Sequence, residues 1–178
     1  MLYLIALFLH VTGALMLAAA VGIEWLCIGG LRKAATLENA KGALSTYSKL
    51  SMTGGIGMFL ILIPGVYMAA VAWRDAGWVA IGFLGIVMIG AIGGIMTGRK
   101  MRSMKNDAGA AGSVTPELRK RMLDNSLVLS IRLRTFLLLG VVYMMTVKTA
   151  MSASVIVLII SILLGFVPIG LRTAPERD

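Results

Sequence analysis

Five apolar stretches, separated by polar segments, set the pattern of this chain. They cover residues 2–27, 51–73, 78–97, 135–147 and 152–171. A helix needs about 20 apolar residues to cross the ~30 Å hydrocarbon core of a bilayer. The fourth stretch reaches that length only if a charged helical stem precedes it. Thr115 is a suitable N-cap for this stem, and Pro116 is a suitable first helical residue. The pattern predicts one all-α domain over residues 1–178, a polytopic bundle of five transmembrane helices with a basic loop at 99–134.

Composition supports a membrane protein. The chain is 178 residues long, 58% of them hydrophobic and only 14% charged, and its mean hydropathy is +0.91. A soluble domain does not need that much apolar surface. We therefore expect the lipid bilayer to be its principal partner.

The positive charge is distributed unevenly between the two ends of the predicted helices. Of the 17 Lys and Arg residues, only Arg74 and Lys148 fall on one side, and the other fifteen fall on the opposite side. Cytoplasmic loops collect such residues, so we place the N-terminus outside and the C-terminus in the cytoplasm. The basic face should meet anionic lipid headgroups. Nucleic acid is not an expected partner, because the basic residues have no interleaved aromatic side chains.

The first apolar stretch carries two ionisable residues, His10 and Glu24, and His10 is the only histidine. They lie fourteen positions apart, which puts them on one helix face and about 21 Å apart along the axis. Ionisable groups within a span nearly always face other helices or a wet cavity. This face should therefore point into the bundle.

Several side chains lie at the depth of His10 in the outer half of the predicted bundle. They are Tyr67, Met68, Tyr143 and Met144. If the helices turn these groups toward each other, His10 and a methionine sulfur are suitable ligands for haem iron or copper. Two other interpretations remain: a hydrogen-bonded structural histidine, or a step on a proton or solute path.

Glu24 is predicted to lie near the cytoplasmic surface, at the level of Arg132 and Arg134. We expect one of these arginines to form a structural ion pair with it, since a guanidinium can donate two parallel bonds to a carboxylate. Interfacial water should limit the gain to about 1 kcal/mol. The functional alternative makes Glu24 a proton or ion acceptor in a transporter.

The third apolar stretch contains two overlapping GxxxG repeats, formed by Gly90, Gly94 and Gly98. Small residues at this spacing let another helix approach closely. The neighbour is either a helix of the same chain or a second copy, which would make this face a homo-oligomer contact.

Three segments resemble a family. FLHVTGALMLAAAVGIEWL, TGRKMR and RLRTFLLLGVVYMMTVK are similar to a group of bacterial predicted integral membrane proteins of unknown function, whose first helix begins with a Leu-His-x-x-Gly motif. The resemblance implies a multi-pass protein of the bacterial cytoplasmic (inner) membrane and supplies no activity. The Leu-His opening is also similar to the copper-resistance D family and the four-helix membrane protoporphyrinogen oxidases, where it would make His10 a haem or copper ligand. The oxidase pattern's further histidine has no counterpart here.

The sequence contains no Ser-His-Asp set, no phosphate loop and no pair of facing carboxylates within a span. We therefore expect a non-enzymatic role, as a subunit of a complex or a minor transport protein. The alternatives are a haem- or copper-binding protein that uses His10, and a proton-coupled transporter of small solutes that uses Glu24.

Overall fold

A computed structural model describes residues 1–167. Within this part of the chain all regular structure is helical and no strand occurs. The elements are α1 (Leu2–Lys33), α2 (Leu37–Ala72), α3 (Gly77–Ile92), a π-helical segment (Gly93–Gly98), α4 (Arg99–Ala110), α5 (Pro116–Met122), α6 (Asn125–Val147) and α7 (Met151–Phe166). The predicted all-α class and helical bundle are therefore confirmed.

Four helical stretches are long and apolar enough to cross a membrane: Leu2–Lys33, Leu37–Ala72, Gly77–Ala110 and Pro116–Val147. The shorter α7 has 16 residues and is also apolar. The end of the predicted fifth stretch, beyond residue 167, lies outside the described residues. Large apolar side chains such as Leu4, Phe8, Phe59, Ile63 and Leu163 point outward, which is the surface expected of a protein surrounded by lipid.

The helices extend well beyond the apolar stretches, and this corrects the predicted loops. α1 continues past Cys27 to Lys33, and α2 already begins at Leu37. Only residues 34–36 connect them, and the Thr36 side chain caps α2 by accepting a bond from the backbone N–H of Asn39. The segment between the first two apolar stretches is therefore mainly helical, with residues 28–33 continuing α1 and residues 37–50 beginning α2.

Residues 99–134 likewise do not form a loop, because they include α4, α5 and the start of α6. The predicted helix start is confirmed: Thr115 accepts a bond from the N–H of Leu118 at 3.2 Å. That helix does not continue into the fourth stretch, however. Asp124 begins a new helix by accepting a bond from the N–H of Ser126, and Lys100 binds the same carboxylate.

Arginines hold the polar end of the bundle together. Arg32 donates to the carbonyl of Leu123, and Arg119 donates to the carbonyl of Ala34, each at 2.8 Å. Carbonyls at helix ends lack partners within their own helix. Part of the chain's basic charge therefore satisfies these carbonyls and ties α1 to the break between α5 and α6.

The central helix is α6, which contacts α1, α3, the π-helical segment and α7. Glycines let its neighbours approach: Gly85 lies against Val141, and Gly165 of α7 lies against Leu133. Of the GxxxG glycines, Gly90 packs on Met58 and Gly98 lies near Tyr47, whereas Gly94 has open space beside it. Gly90 and Gly98 thus serve packing within the chain.

The closest approach of α1 and α2 is between Gly13 and Gly57. A Cβ atom added to Gly13 would lie 2.7 Å from the carbonyl oxygen of Gly57, whereas one added to Gly22 on the same helix would meet nothing. Gly13 and Gly22 make a matched pair for substitution, because alanine improves helix propensity at both positions.

We predict that Gly13→Ala lowers the melting temperature in detergent, at a cost of about 1–3 kcal/mol, because the new methyl group clashes with backbone. Gly22→Ala should be neutral or stabilising by up to about 1 kcal/mol. Thermal unfolding followed by circular dichroism measures both. Equal melting temperatures for the two variants would contradict the close contact of α1 with α2.

Candidate functional site

Polar groups are concentrated at two sites in the bundle, and the first site is a buried charge cluster. Arg134 of α6 donates two bonds to the Glu24 carboxylate of α1: Nη1 reaches Oε2 at 2.8 Å and Nη2 binds Oε1. Only 6% of the Glu24 side chain and 8% of the Arg134 side chain are exposed. This bidentate pair lies among helices and not at a wet surface, because α1 extends beyond Glu24 by more than two further turns.

The π-helical segment lies beside this pair. Thr97 accepts a 3.4 Å bond from Nη2 of Arg134 and donates a 2.7 Å bond to the Ser130 hydroxyl. Gly93 leaves room for the guanidinium, since an added Cβ would lie 3.0 Å from Nη1. Short π-helical insertions frequently occur at functional sites. Here the insertion brings a hydroxyl and a glycine to one arginine.

The second predicted arginine, Arg132, has a different environment. Its side chain is also buried, but Nε and Nη2 have no hydrogen-bond partner among residues 1–167. The structure thus places Arg134, and not Arg132, on Glu24. The predicted pairing of Glu24 with one of the two arginines is present, with both side chains buried, and the strength of this pair stays a prediction.

His10 binds backbone on the neighbouring helix. Its Nδ1 lies 2.8 Å from the carbonyl oxygen of Ile61, and since a carbonyl only accepts, Nδ1 carries the proton. Gly65 makes room for the ring, because an added Cβ would lie 3.1 Å from Nδ1. The bond falls in the turn of α2 that Pro64 weakens by offering no N–H. His10 therefore has a structural bond to the backbone of α2 through Nδ1.

The second site is a cavity of about 840 Å³ between α1, α2, α3 and the end of α6. We call it the outer cavity. His10 and Met68 line it together with apolar side chains that include Leu7, Ile61, Val66, Phe83 and Ile86. Its polar lining includes Tyr3, Arg74, Thr146 and Lys148. A cavity of this size with mostly apolar walls and few polar groups is typical of small-molecule sites.

The outer cavity brings together only part of the predicted cofactor cluster. His10 and Met68 line it, but Tyr67, Tyr143 and Met144 do not. Met144 is fully buried elsewhere, Tyr143 is half-exposed, and Met145 lines the cavity in place of Met144. Among residues 1–167 no group of three or more His, Cys, Asp or Glu side chains is arranged to hold a metal ion.

Sequence reasoning missed the aromatic and basic groups at one end of this cavity. The indole of Trp73 donates to the Tyr3 hydroxyl at 3.1 Å and meets Trp78 edge-on at a centroid distance of 5.4 Å. Lys148 Nζ lies 4.2 Å from the centre of the Trp73 ring. The signal that could have found them was the pair of tryptophans on either side of the short turn at residues 74–76.

Comparison of the chain with protein-family models, with curated proteins and with solved structures gave no match.

We predict that Glu24→Gln lowers stability by about 3–5 kcal/mol, because it leaves the Arg134 guanidinium buried without its counter-charge. The double variant Glu24→Gln/Arg134→Gln should lose less than the sum of the two single variants. Arg132→Gln should cost less than Arg134→Gln, since two of its nitrogens have no partner within residues 1–167. Thermal unfolding in detergent measures all four, and strictly additive losses at positions 24 and 134 would refute the coupling.

Proposed function

We propose that this chain is a multi-pass protein of the bacterial inner membrane, with five spans, the N-terminus outside and the C-terminus in the cytoplasm. The connection that follows α2 and the connection that follows α6 lie at the same end of the bundle. Arg74, which follows α2, and Lys148, which follows α6, line the same cavity, and Gly77 at the start of α3 lies against Met151 at the start of α7. The connection at residues 34–36 lies at the opposite end, bound by Arg119.

The charge distribution supports this orientation. The end with the outer cavity carries Arg74 and Lys148, whereas the end with α4 and α5 carries most of the other basic residues. Bacterial membrane proteins keep the strongly basic end in the cytoplasm. That end is also the one suited to anionic lipid headgroups.

For a topology test, single cysteines at positions 75 and 112 in a Cys27→Ala background would be exposed to a thiol reagent that does not cross membranes. We expect Asp75→Cys to react in intact spheroplasts and Gly112→Cys to react only after lysis. Labelling of both before lysis would show that the two connections lie on one side and would reject this orientation.

We further propose that the protein acts by binding and not by catalysis, holding a membrane-soluble molecule in the outer cavity as a subunit of a complex or a minor transport protein. The observation that carries this is the cavity itself, about 840 Å³ with mainly apolar walls. Bundles of helices commonly place ligand sites between facing helices. Its polar groups are few and lie mainly at one end, as required for orienting an otherwise apolar molecule.

The packing of α1 favours this role over proton transport between His10 and Glu24. Gly13, Leu17 and Val21 lie on the same face between these two residues, and all three are buried. Gly13 is in direct contact with the backbone of α2. The space that a continuous wet path would need is therefore filled by side chains and backbone.

The test is to fill the cavity. Ala69→Phe/Ala80→Phe places two rings in its lining, and the control Ala72→Phe/Ala91→Phe places two rings on exposed positions that do not line it. Native mass spectrometry of protein from mild detergent should find a bound small molecule on the wild type and the control. The cavity variant should lose it, and an unchanged bound mass in the cavity variant would contradict the proposal.

A visible absorption spectrum of the same samples separates this proposal from the haem or copper alternative. We expect no Soret band and no copper charge-transfer band in the wild type. A Soret band that disappears in His10→Ala would instead establish His10 as an axial ligand.

A further inference from the structure

We propose that the ligand of the outer cavity is an anionic membrane lipid with a phosphate headgroup. Arg74 and Lys148 would bind the phosphate, and the acyl chain would lie along the apolar walls. This inference rests on the proposed binding function and adds the chemistry of the ligand to it.

Two basic side chains lie at this end of the bundle within residues 1–167. They are Arg74 and Lys148, and both line the same cavity. No Asp or Glu within residues 1–167 lines it, and neither cation forms a salt bridge in that part of the chain. Two cations that form no salt bridge in the described part of the chain, next to apolar walls, complement a ligand that has a negative head and an apolar tail.

The backbone at Lys148 has an unusual conformation. Its φ of 53° and ψ of 54° lie in the left-handed region, and it is the one non-glycine residue with positive φ among residues 1–167. At this position after a helix, glycine is the usual residue, because a side chain there is strained. A lysine held in this conformation points to a role for its side chain, since strained residues cluster at binding sites.

The aromatic groups around Lys148 contact one another. Trp73 contacts the ammonium group of Lys148, packs against Trp78 and donates to Tyr3. Indole and phenol rings favour the headgroup level of a membrane, where one part of the ring is apolar and another is wet. The cations therefore lie at the depth of lipid phosphates, while the walls below them lie at the depth of acyl chains.

Phosphate is the headgroup that this pair of cations fits best. An arginine offers a planar fork for two phosphate oxygens, and a lysine adds a compact point charge. The apolar walls select a phosphate that is attached to a lipid and not a free ion. Anionic lipids of the membrane itself are the source that reaches the cavity without crossing water.

The test uses tryptophan quenching by lipids with brominated acyl chains, in a Trp25→Phe background where Trp73 and Trp78 are the reporters. Nanodiscs of phosphatidylcholine are doped with brominated phosphatidylglycerol or with brominated phosphatidylcholine. We expect phosphatidylglycerol to quench at a roughly 25-fold lower mole fraction, the product of the contributions of the two cations. Each cation should contribute about fivefold to this preference, as expected for one basic side chain near anionic lipid.

Three variants locate the effect. Lys148→Gly should reduce the preference for phosphatidylglycerol about fivefold while keeping or raising the melting temperature, because glycine adopts the left-handed backbone without strain. Arg74→Gln should reduce the preference by a similar factor. The control Arg99→Gln removes an exposed charge at the opposite end and should leave the preference unchanged.

The outcomes separate the two proposals. Equal quenching by both lipids, abolished by Ala69→Phe/Ala80→Phe, would keep the binding function and overturn the anionic headgroup. Quenching that the cavity variant does not change would overturn both. A phosphatidylglycerol preference that survives in Arg74→Gln/Lys148→Gly would also overturn the assignment of the phosphate to these two cations.

Discussion

The contact between Glu24 and Arg134 is the interaction on which the arrangement of this bundle depends. It joins the first helix to the central one, and it does so where neither partner has water as an alternative. A buried pair of opposite charges fixes the rotation and the height of two helices more strictly than apolar packing does, because either partner alone would be costly. The π-helical segment follows from the same constraint, since Thr97 and Gly93 are both placed around that guanidinium.

The buried charge cluster and the outer cavity lie in different halves of the bundle, and the two halves differ in how closely the helices pack. Near Arg134 the interior is filled and holds the bonds of this arginine to Glu24 and Thr97, whereas at the end with Trp73 the helices separate and leave the outer cavity. Gly13 and Gly57 lie between these regions and bring α1 and α2 together there. The close contact of α1 with α2 thus holds together two of the helices that line the outer cavity.

The apolar runs predicted the all-helical fold and the positions of the four long apolar helical stretches, because a run of such residues leaves little choice of structure. The helix ends were missed where glycine or charged residues continue a helix, as from Ile28 to Lys33 and from Arg99 to Ala110. The break before α6 was missed because Asp124 acts as a cap through its local bond to Ser126. The sequence also placed Glu24 and the arginines at one depth, but it left open which arginine faces the carboxylate.

The outer cavity could not have been derived in the same way. Sequence spacing gives the depth of a residue along its helix, but the rotation of that helix depends on packing against all its neighbours. Met144 and Met145 are adjacent in the sequence, yet Met144 lies in the core and Met145 lines the cavity. Tyr143, at nearly the same depth, points to the surface.

The position of Glu24 near the start of the chain and Arg134 near its end has a consequence for biosynthesis. A growing chain delivers its helices to the bilayer in order, N-terminus first. The carboxylate of α1 is therefore present before α2 and α3, and its guanidinium partner arrives only with α6. Until then the membrane contains three helices around an uncompensated group. The charge pair is thus completed late, when α6 packs against a helix that already carries the carboxylate.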